Sequence, residues 1–95
     1  MNYTNERETT SLATLQGGDR ALVIDINPHN PKLRAKLAAR GLVPGVEVGI
    51  VRGGDPILLL VDDARWGVNR NDADSVRVNI IKRTRKSLLQ RLWAR

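Results

Sequence analysis

Short runs in which apolar and polar residues alternate recur along the chain, separated by turns rich in Gly, Asp and Pro. Such alternation is typical of strands with one buried face. It predicts five strands, at residues 20–26, 46–52, 57–61, 65–70 and 75–80. In the first strand, Leu22, Ile24 and Ile26 fall on one face, which we expect to be buried. Because curling a sheet removes most of its edges, the pattern predicts a mainly β protein built as a small five-stranded barrel.

One helix is predicted between the first and second strands. Residues 31–40 are expected to be helical because Asn30 is a good N-cap and Pro31 suits the first helical position. Gly41 can adopt the left-handed backbone conformation that ends a helix, and Leu42 can then pack back onto it. The chain then turns and enters the second strand.

The turn after this helix holds the best candidates for partner binding in the body of the chain. Leu42 and Val43 are apolar and stand beside Pro44 at a predicted surface turn. The helix cap accounts for Leu42. Val43 serves either in packing or in a docking patch; packing is a sufficient explanation because single exposed apolar residues are common on protein surfaces. We therefore take Leu42, Val43 and Pro44 as the predicted partner-binding set.

Size and composition restrict the class of protein. The 95 residues suffice for one domain with a modest aliphatic core. Trp66 alternates in phase with Val68 and is expected to join that core. The chain has no Cys, which excludes disulfides and thiolate metal sites and fits a cytosolic protein. The longest apolar run, residues 57–61, is far short of the about twenty residues that cross a bilayer.

The sequence offers no convincing catalytic or metal site. His29 is the only histidine, and the paired carboxylates at 62–63 and 72–74 are not placed to converge on an ion. There is no cysteine nucleophile, and neither glycine pair is followed by the Lys and Ser or Thr of a phosphate-binding loop. We therefore expect a protein that is not an enzyme and holds no cofactor or metal.

Positive charge is concentrated at the C-terminus. Residues 1–81 contain ten Lys or Arg and ten Asp or Glu, so the net charge of +6 comes from residues 82–95. The basic residues there are Lys82, Arg83, Arg85, Lys86, Arg91 and Arg95. The predicted organisation is a flexible N-terminus at 1–10, a domain at 11–81 and a basic tail at 82–95.

The tail also has an apolar stripe. If the tail is helical, one side carries Leu88, Leu89, Leu92 and Trp93. A basic amphipathic helix with a Trp suits an anionic membrane surface or the groove of a partner. A helix this short is marginal on its own, so a disordered tail or a helix folded back onto the barrel are alternatives.

Several motifs, in order and spacing, resemble those of a known family. They are Ser11-Leu12-x-x-Leu15, Gly41-Leu42-x-Pro44-Gly45, Gly54-Asp55-Pro56 and Ala73-x-x-Val76-x-Val78. This arrangement, over residues 11–80, resembles the FeoA family, small cytosolic partners of the bacterial ferrous-iron transporter FeoB. One departure is Asn69, a position where that family often has Arg.

The resemblance implies an SH3-like barrel that acts as a non-enzymatic accessory protein of ferrous iron transport. It implies binding to the cytosolic G-protein region of the transporter, in the cytoplasm. The basic tail is a second departure, because it is not part of the family's usual core. From its charge we expect the tail to contact lipid phosphates peripherally at the inner membrane or an acidic transporter surface. One alternative is a nucleic-acid-binding barrel that uses the basic tail, although the neutral barrel lacks a row of stacking aromatics. A second alternative is a free-standing interaction domain like the SH3-like domain of iron-dependent repressors.

Overall fold

The computed structural model describes residues 9–84, which form one antiparallel sheet, two helices and a 3₁₀ turn. The strands are β1 Thr9–Ser11, β2 Arg20–Ile26, β3 Glu47–Arg52, β4 Ile57–Val61, β5 Ala64–Val68 and β6 Val76–Lys82. The helices are α1 Pro31–Ala38 and α2 Arg70–Ala73, and the 3₁₀ turn is Leu12–Thr14. In this part of the chain no helix is both long and apolar enough to span a membrane.

The sheet has six strands in the order β1-β6-β2-β3-β4-β5, one more than predicted. The mainly β architecture and the helix after the predicted first strand, β2, are confirmed. The sequence pattern did not reveal β1 because it is polar and three residues long; it pairs with β6, with Thr10 opposite Val78. Thr9 and Thr10 therefore lie in the sheet, although the sequence assigned them to a flexible terminus.

The buried face of β2 differs from the predicted one. Ala21 and Val23 lie in the core, whereas Leu22 and Ile24 are only half-buried. A bulge after Val23 shifts the pairing with β6, and Ile26 returns to the core. The prediction for Leu22 and Ile24 was wrong because a bulge interrupts the two-residue period on which it relied.

Helix α1 has the predicted caps and ends two residues earlier than predicted, at Ala38. At its start, the Asn30 side chain accepts a hydrogen bond of 3.1 Å from the Leu33 N–H. At its end, Gly41 has φ +89° and the Leu42 N–H donates to the Leu37 carbonyl at 3.0 Å. This glycine cap reverses the chain and brings residues 42–44 back beside the helix.

The core is aliphatic and draws on β2 to β6, α1 and the 3₁₀ turn. Its largest fully buried apolar side chains are Leu12, Leu15, Leu37, Leu42, Ile57 and Leu59. Trp66 is half-buried and packs against this core, with the Arg40 guanidinium 5.2 Å from its ring centroid. Strand β5 ends at Val68, and Arg70 begins α2 instead of extending the strand as predicted.

A buried carboxylate fixes where the chain leaves the sheet. Asp19 has no exposed surface, and its carboxylate accepts hydrogen bonds of 2.9 Å from the N–H groups of Gln16 and Thr84. The Arg83 guanidinium lies 3.9 Å from the same carboxylate, with 14% of its side chain exposed. Lys82 ends β6. Lys82 and Arg83, assigned to the tail from sequence, therefore belong to the folded part of the protein.

Candidate functional site

A groove lies between helix α1 and the turn that follows it. It encloses about 280 Å³ and is lined by Ile26, Pro31, Arg34, Ala35, Ala38, Leu42, Val43 and Pro44. Its position follows from the glycine cap, which brings the turn back beside the helix. Ala35 and Ala38 lie three residues apart and so share a side of α1, where their small side chains leave space next to the turn. We call this site the α1 groove.

The three residues predicted to bind a partner all line the α1 groove, but they differ in exposure. Val43 is 40% exposed and Pro44 is exposed, whereas Leu42 is fully buried. The helix cap explains the difference, because the hydrogen bond from the Leu42 N–H to Leu37 turns Leu42 toward the core. Leu42 therefore supports the groove from the core side, and only Val43 and Pro44 of the predicted set offer surface to a partner.

The α1 groove is apolar with one charged residue in its lining. Of the eight lining residues in the described part of the chain, Arg34 is the charged one. Such a groove can hold an apolar side chain of a partner while the guanidinium pairs with a nearby carboxylate. Its lining includes no nucleophile and no acid–base group, so its chemistry is binding. Sequence reasoning missed Arg34, Ala35 and Ala38, because they become part of a site only when the turn packs beside them.

A second groove, of about 440 Å³, lies beside β6 and is more polar. It contains an ion pair in which Arg77 Nη2 lies 2.7 Å from Asp25 Oδ2. The hydrogen bond that Arg77 donates to the Asp25 carboxylate, and the negative charge of that carboxylate, raise the pKa of Arg77, so this guanidinium stays charged. In the same groove the Ser11 hydroxyl donates to the Asp74 carboxylate at 3.2 Å. The first pair joins β2 to β6, and the second joins β1 to the end of α2. The polar groups of this groove are therefore explained by contacts that hold the fold together.

Residues 9–84 contain no cluster of three or more His, Cys, Asp or Glu side chains that could hold a metal ion. His29 is exposed in the turn before α1, where its backbone N–H donates to the Asn27 side chain at 2.9 Å. Lys36 of α1 forms an ion pair of 2.9 Å with Asp72 of α2. Asn69, the departure from the family pattern, caps α2 by accepting a 2.7 Å hydrogen bond from the Asp72 N–H.

The described residues include only the first two basic residues of the predicted tail. Lys82 is exposed at the end of β6, opposite Arg20, and Arg83 is held near Asp19. The other predicted tail residues lie outside the described residues; they are Arg85, Lys86, Leu88, Leu89, Arg91, Leu92, Trp93 and Arg95.

A family model and several solved structures match most of this chain. The model of the FeoA domain matches residues 10–80. A comparison with curated proteins gives no significant match. One similar solved structure is an iron uptake regulatory protein, FeoA, with 28% identity over 78% of this chain and 99% of that chain, and a TM-score of 0.70.

Two further solved structures are similar over most of the chain. The FeoA protein from Chlorobium tepidum has 32% identity, covers 77% of this chain and 71% of that chain, and has a TM-score of 0.70. FeoA from Stenotrophomonas maltophilia, solved with zinc and described as a prokaryotic SH3 domain protein, has 28% identity over 74% and 89%, with a TM-score of 0.65. These likenesses confirm the predicted SH3-like fold.

Proposed function

The chain belongs to the FeoA family, and we propose that it is an accessory protein that binds the cytosolic G-protein region of the ferrous-iron transporter. Family membership connects the chain with ferrous iron transport as an SH3-like protein. In this proposal the protein works on the cytoplasmic side of the membrane, and it acts by binding the transporter and modulating it, without catalysing a reaction itself.

The α1 groove is the observation that carries the proposal. It combines an exposed Val43, an exposed Pro44 and the cationic Arg34 in one concave site inside the matched residues. A segment of the G-protein region that carries an apolar side chain next to a carboxylate would complement both features.

The groove is also well fixed before a partner arrives. The cap hydrogen bond of Leu42 and the ring of Pro44 restrict the backbone on either side of Val43. A site that is already ordered loses little conformational entropy on binding. Burying the exposed part of Val43 then contributes about 1 kcal/mol, the share expected from the free energy of burying a whole Val side chain.

The test is a charge placed in the groove, compared with the same charge placed elsewhere. Val43→Asp puts a carboxylate into the α1 groove, and Val51→Asp puts one at an equally exposed valine, since each is 40% exposed. We expect Val43→Asp to weaken binding to the purified G-protein region by roughly tenfold or more, the cost of a desolvated charge at the centre of an interface. Isothermal titration calorimetry on the full chain, without lipid, measures this.

Val51→Asp serves as the matched control because Val51 lies outside the α1 groove. We expect its affinity to stay within about twofold of the unmodified chain. Equal losses in both variants would point to a general charge effect, and unchanged binding of Val43→Asp would remove the α1 groove from the interface.

A further inference from the structure

We propose that two copies of this chain associate through strand β5, whose outer edge is unpaired, to form a two-fold symmetric dimer. The interface consists of residues 62–70, which comprise β5, the turn before it and the start of α2. No residue in this range lines the α1 groove. The proposal therefore does not depend on the transporter, and it leaves the lining of the α1 groove outside the dimer interface.

Strand β5 carries a row of backbone groups that point away from the sheet. Among residues 9–84 it is paired with β4 on one side and with no strand on the other. The turn between β4 and β5 has two residues, 62–63, so the flanking residues Val61 and Ala64 form the first hydrogen-bonded pair. Hydrogen-bonded and non-hydrogen-bonded pairs alternate along an antiparallel ladder. Arg65 and Gly67 therefore direct their N–H and C=O groups away from β4.

The two edges of the sheet differ in how they are protected against pairing with another chain. Proteins commonly protect an edge with a very short strand, a proline, a bulge or several charges. Strand β1, at the other edge, is only three residues long and polar. Strand β5 has five residues in regular register with β4, no proline and no bulge, and its one charged residue is Arg65. It is therefore available to pair with a further strand.

The residues of β5 favour one symmetric register with a second copy. With Trp66 on the two-fold axis, all five residues of β5 are paired, and Arg65 of each copy lies opposite Gly67 of the other. Each such pair exchanges two backbone hydrogen bonds, because both residues point outward. An axis at Arg65 would pair only three residues and set two guanidinium groups opposite each other, which is unfavourable. An axis at Gly67 would also pair only three residues.

The side chains of β5 suit the same register. Trp66 is half-buried, and in the dimer it lies opposite Trp66 of the second copy at a non-hydrogen-bonded position, where cross-strand side chains are closest. Aromatic pairs across a ladder stabilise it beyond the area that they bury. Gly67 has no side chain, so it leaves space on its side of the sheet for the Arg65 side chain of the other copy.

The two ends of β5 carry opposite charges. Asp62 and Asp63 form the turn before the strand, Arg70 follows the strand, and all three residues are exposed. None of the three forms an ion pair within residues 9–84. In an antiparallel dimer the acidic end of each copy lies beside Arg70 of the other, so both ends of the interface attract. A second copy therefore fits this edge in its backbone groups, its side chains and its charge.

The first experiment is sedimentation equilibrium of the full chain over a range of concentrations, with two variants at one position. Arg65→Pro removes an outward N–H, and the strand tolerates proline there because that N–H has no partner in the sheet. Arg65→Ala is the matched control, since it also loses the guanidinium but keeps the N–H. We expect a monomer–dimer equilibrium for the unmodified chain. Arg65→Pro should associate at least tenfold more weakly, because two symmetry-related hydrogen bonds are lost, and Arg65→Ala should stay within about threefold.

Disulfide cross-linking tests the register. The chain has no Cys, so the variants Arg65→Cys and Gly67→Cys each carry a single thiol. Between unlike variants the two thiols lie on directly opposite residues, with Cα atoms about 5.5 Å apart, which a disulfide spans. Between like variants the Cα atoms are roughly 8 Å apart, which is too far. We expect mild oxidation of an equimolar mixture to link unlike copies, identified by mass, and to link far less of either variant alone.

A charge reversal tests the ends of the interface. Arg70→Glu sets a carboxylate beside the acidic turn of the second copy, and an acidic residue suits the first turn of α2. We expect association about fivefold weaker at low salt and a smaller loss at high salt. Unchanged association of Arg70→Glu would contradict the proposed arrangement of the ends.

Three other results would overturn the proposal. The first is a full chain that stays monomeric up to about 1 mM, which would leave this edge to a strand of a different protein. The second is Arg65→Pro associating as strongly as Arg65→Ala. The third is equal cross-linking of like and unlike variants, which would indicate random collisions. Far-ultraviolet circular dichroism of each variant confirms that it is folded before any result is read.

Discussion

At the scale of single residues, Asp19 is the clearest case of a side chain whose role the sequence conceals. It stands in a stretch rich in glycine that predicts a turn, and the turn is present. Its carboxylate is nevertheless fully buried and accepts a hydrogen bond from Thr84, 65 residues further along the chain. No local sequence pattern can indicate such a partner, because the contact exists only after β2 and β6 have paired.

Replacing Asp19 tests this role. Asp19→Ala leaves the N–H groups of Gln16 and Thr84 without this acceptor and removes the charge beside Arg83. We expect the free energy of unfolding to fall by about 3 kcal/mol, as for the loss of a buried, charged hydrogen-bond acceptor. Urea denaturation followed by circular dichroism measures it. Asp63→Ala, at an exposed turn, should cost less than about 0.5 kcal/mol; similar losses in both variants would contradict the structural role.

At the scale of secondary structure elements, the sequence predicts a feature well when the residues that cause the feature are close to it in sequence. Helix α1 and its ends are predicted because Asn30 and Gly41 act on groups within a few residues of themselves. The buried face of β2 is mispredicted because the bulge after Val23 arises in pairing with β6, far away in sequence. Strand β1 is missed for the same reason, since its polar residues become a strand only against β6.

The glycine cap of α1 gives a prediction at this scale. In Gly41→Ala the new Cβ would meet the Val61 Cγ1 at 3.7 Å, an ordinary contact, so the cost comes from the backbone φ of +89°. We expect a loss of about 1 kcal/mol in the free energy of unfolding, and a smaller loss for Gly41→Asn, because Asn tolerates this conformation better.

Gly49→Ala is the control for the cap, because its new Cβ has a similar neighbour at 3.8 Å but its φ is not positive. Urea denaturation of the three variants should rank Gly41→Ala as the least stable. If Gly49→Ala lost as much as Gly41→Ala, the backbone explanation of the cap would be wrong.

At the scale of the whole molecule, the α1 groove is the surface that carries the proposed contact with the transporter. Its lining is apolar apart from the cation Arg34. The sequence indicated Val43 and Pro44 but not the helix residues beside them. It also assigned the whole net charge of +6 to a tail, whereas Lys82 and Arg83 of that tail lie in the folded part. The missed helix residues and the misplaced basic residues have one cause, since a surface is assembled from segments that are distant in sequence.

The most direct test of the central claim is to map the contact with the transporter on the full chain. Amide chemical shifts are followed by NMR in lipid-free buffer while the purified G-protein region is added. The account predicts that the largest changes lie in the α1 groove, at Arg34, Ala35, Ala38 and Val43. Changes confined to other residues, or no change at all, would contradict the assignment of the α1 groove as the binding site for this region.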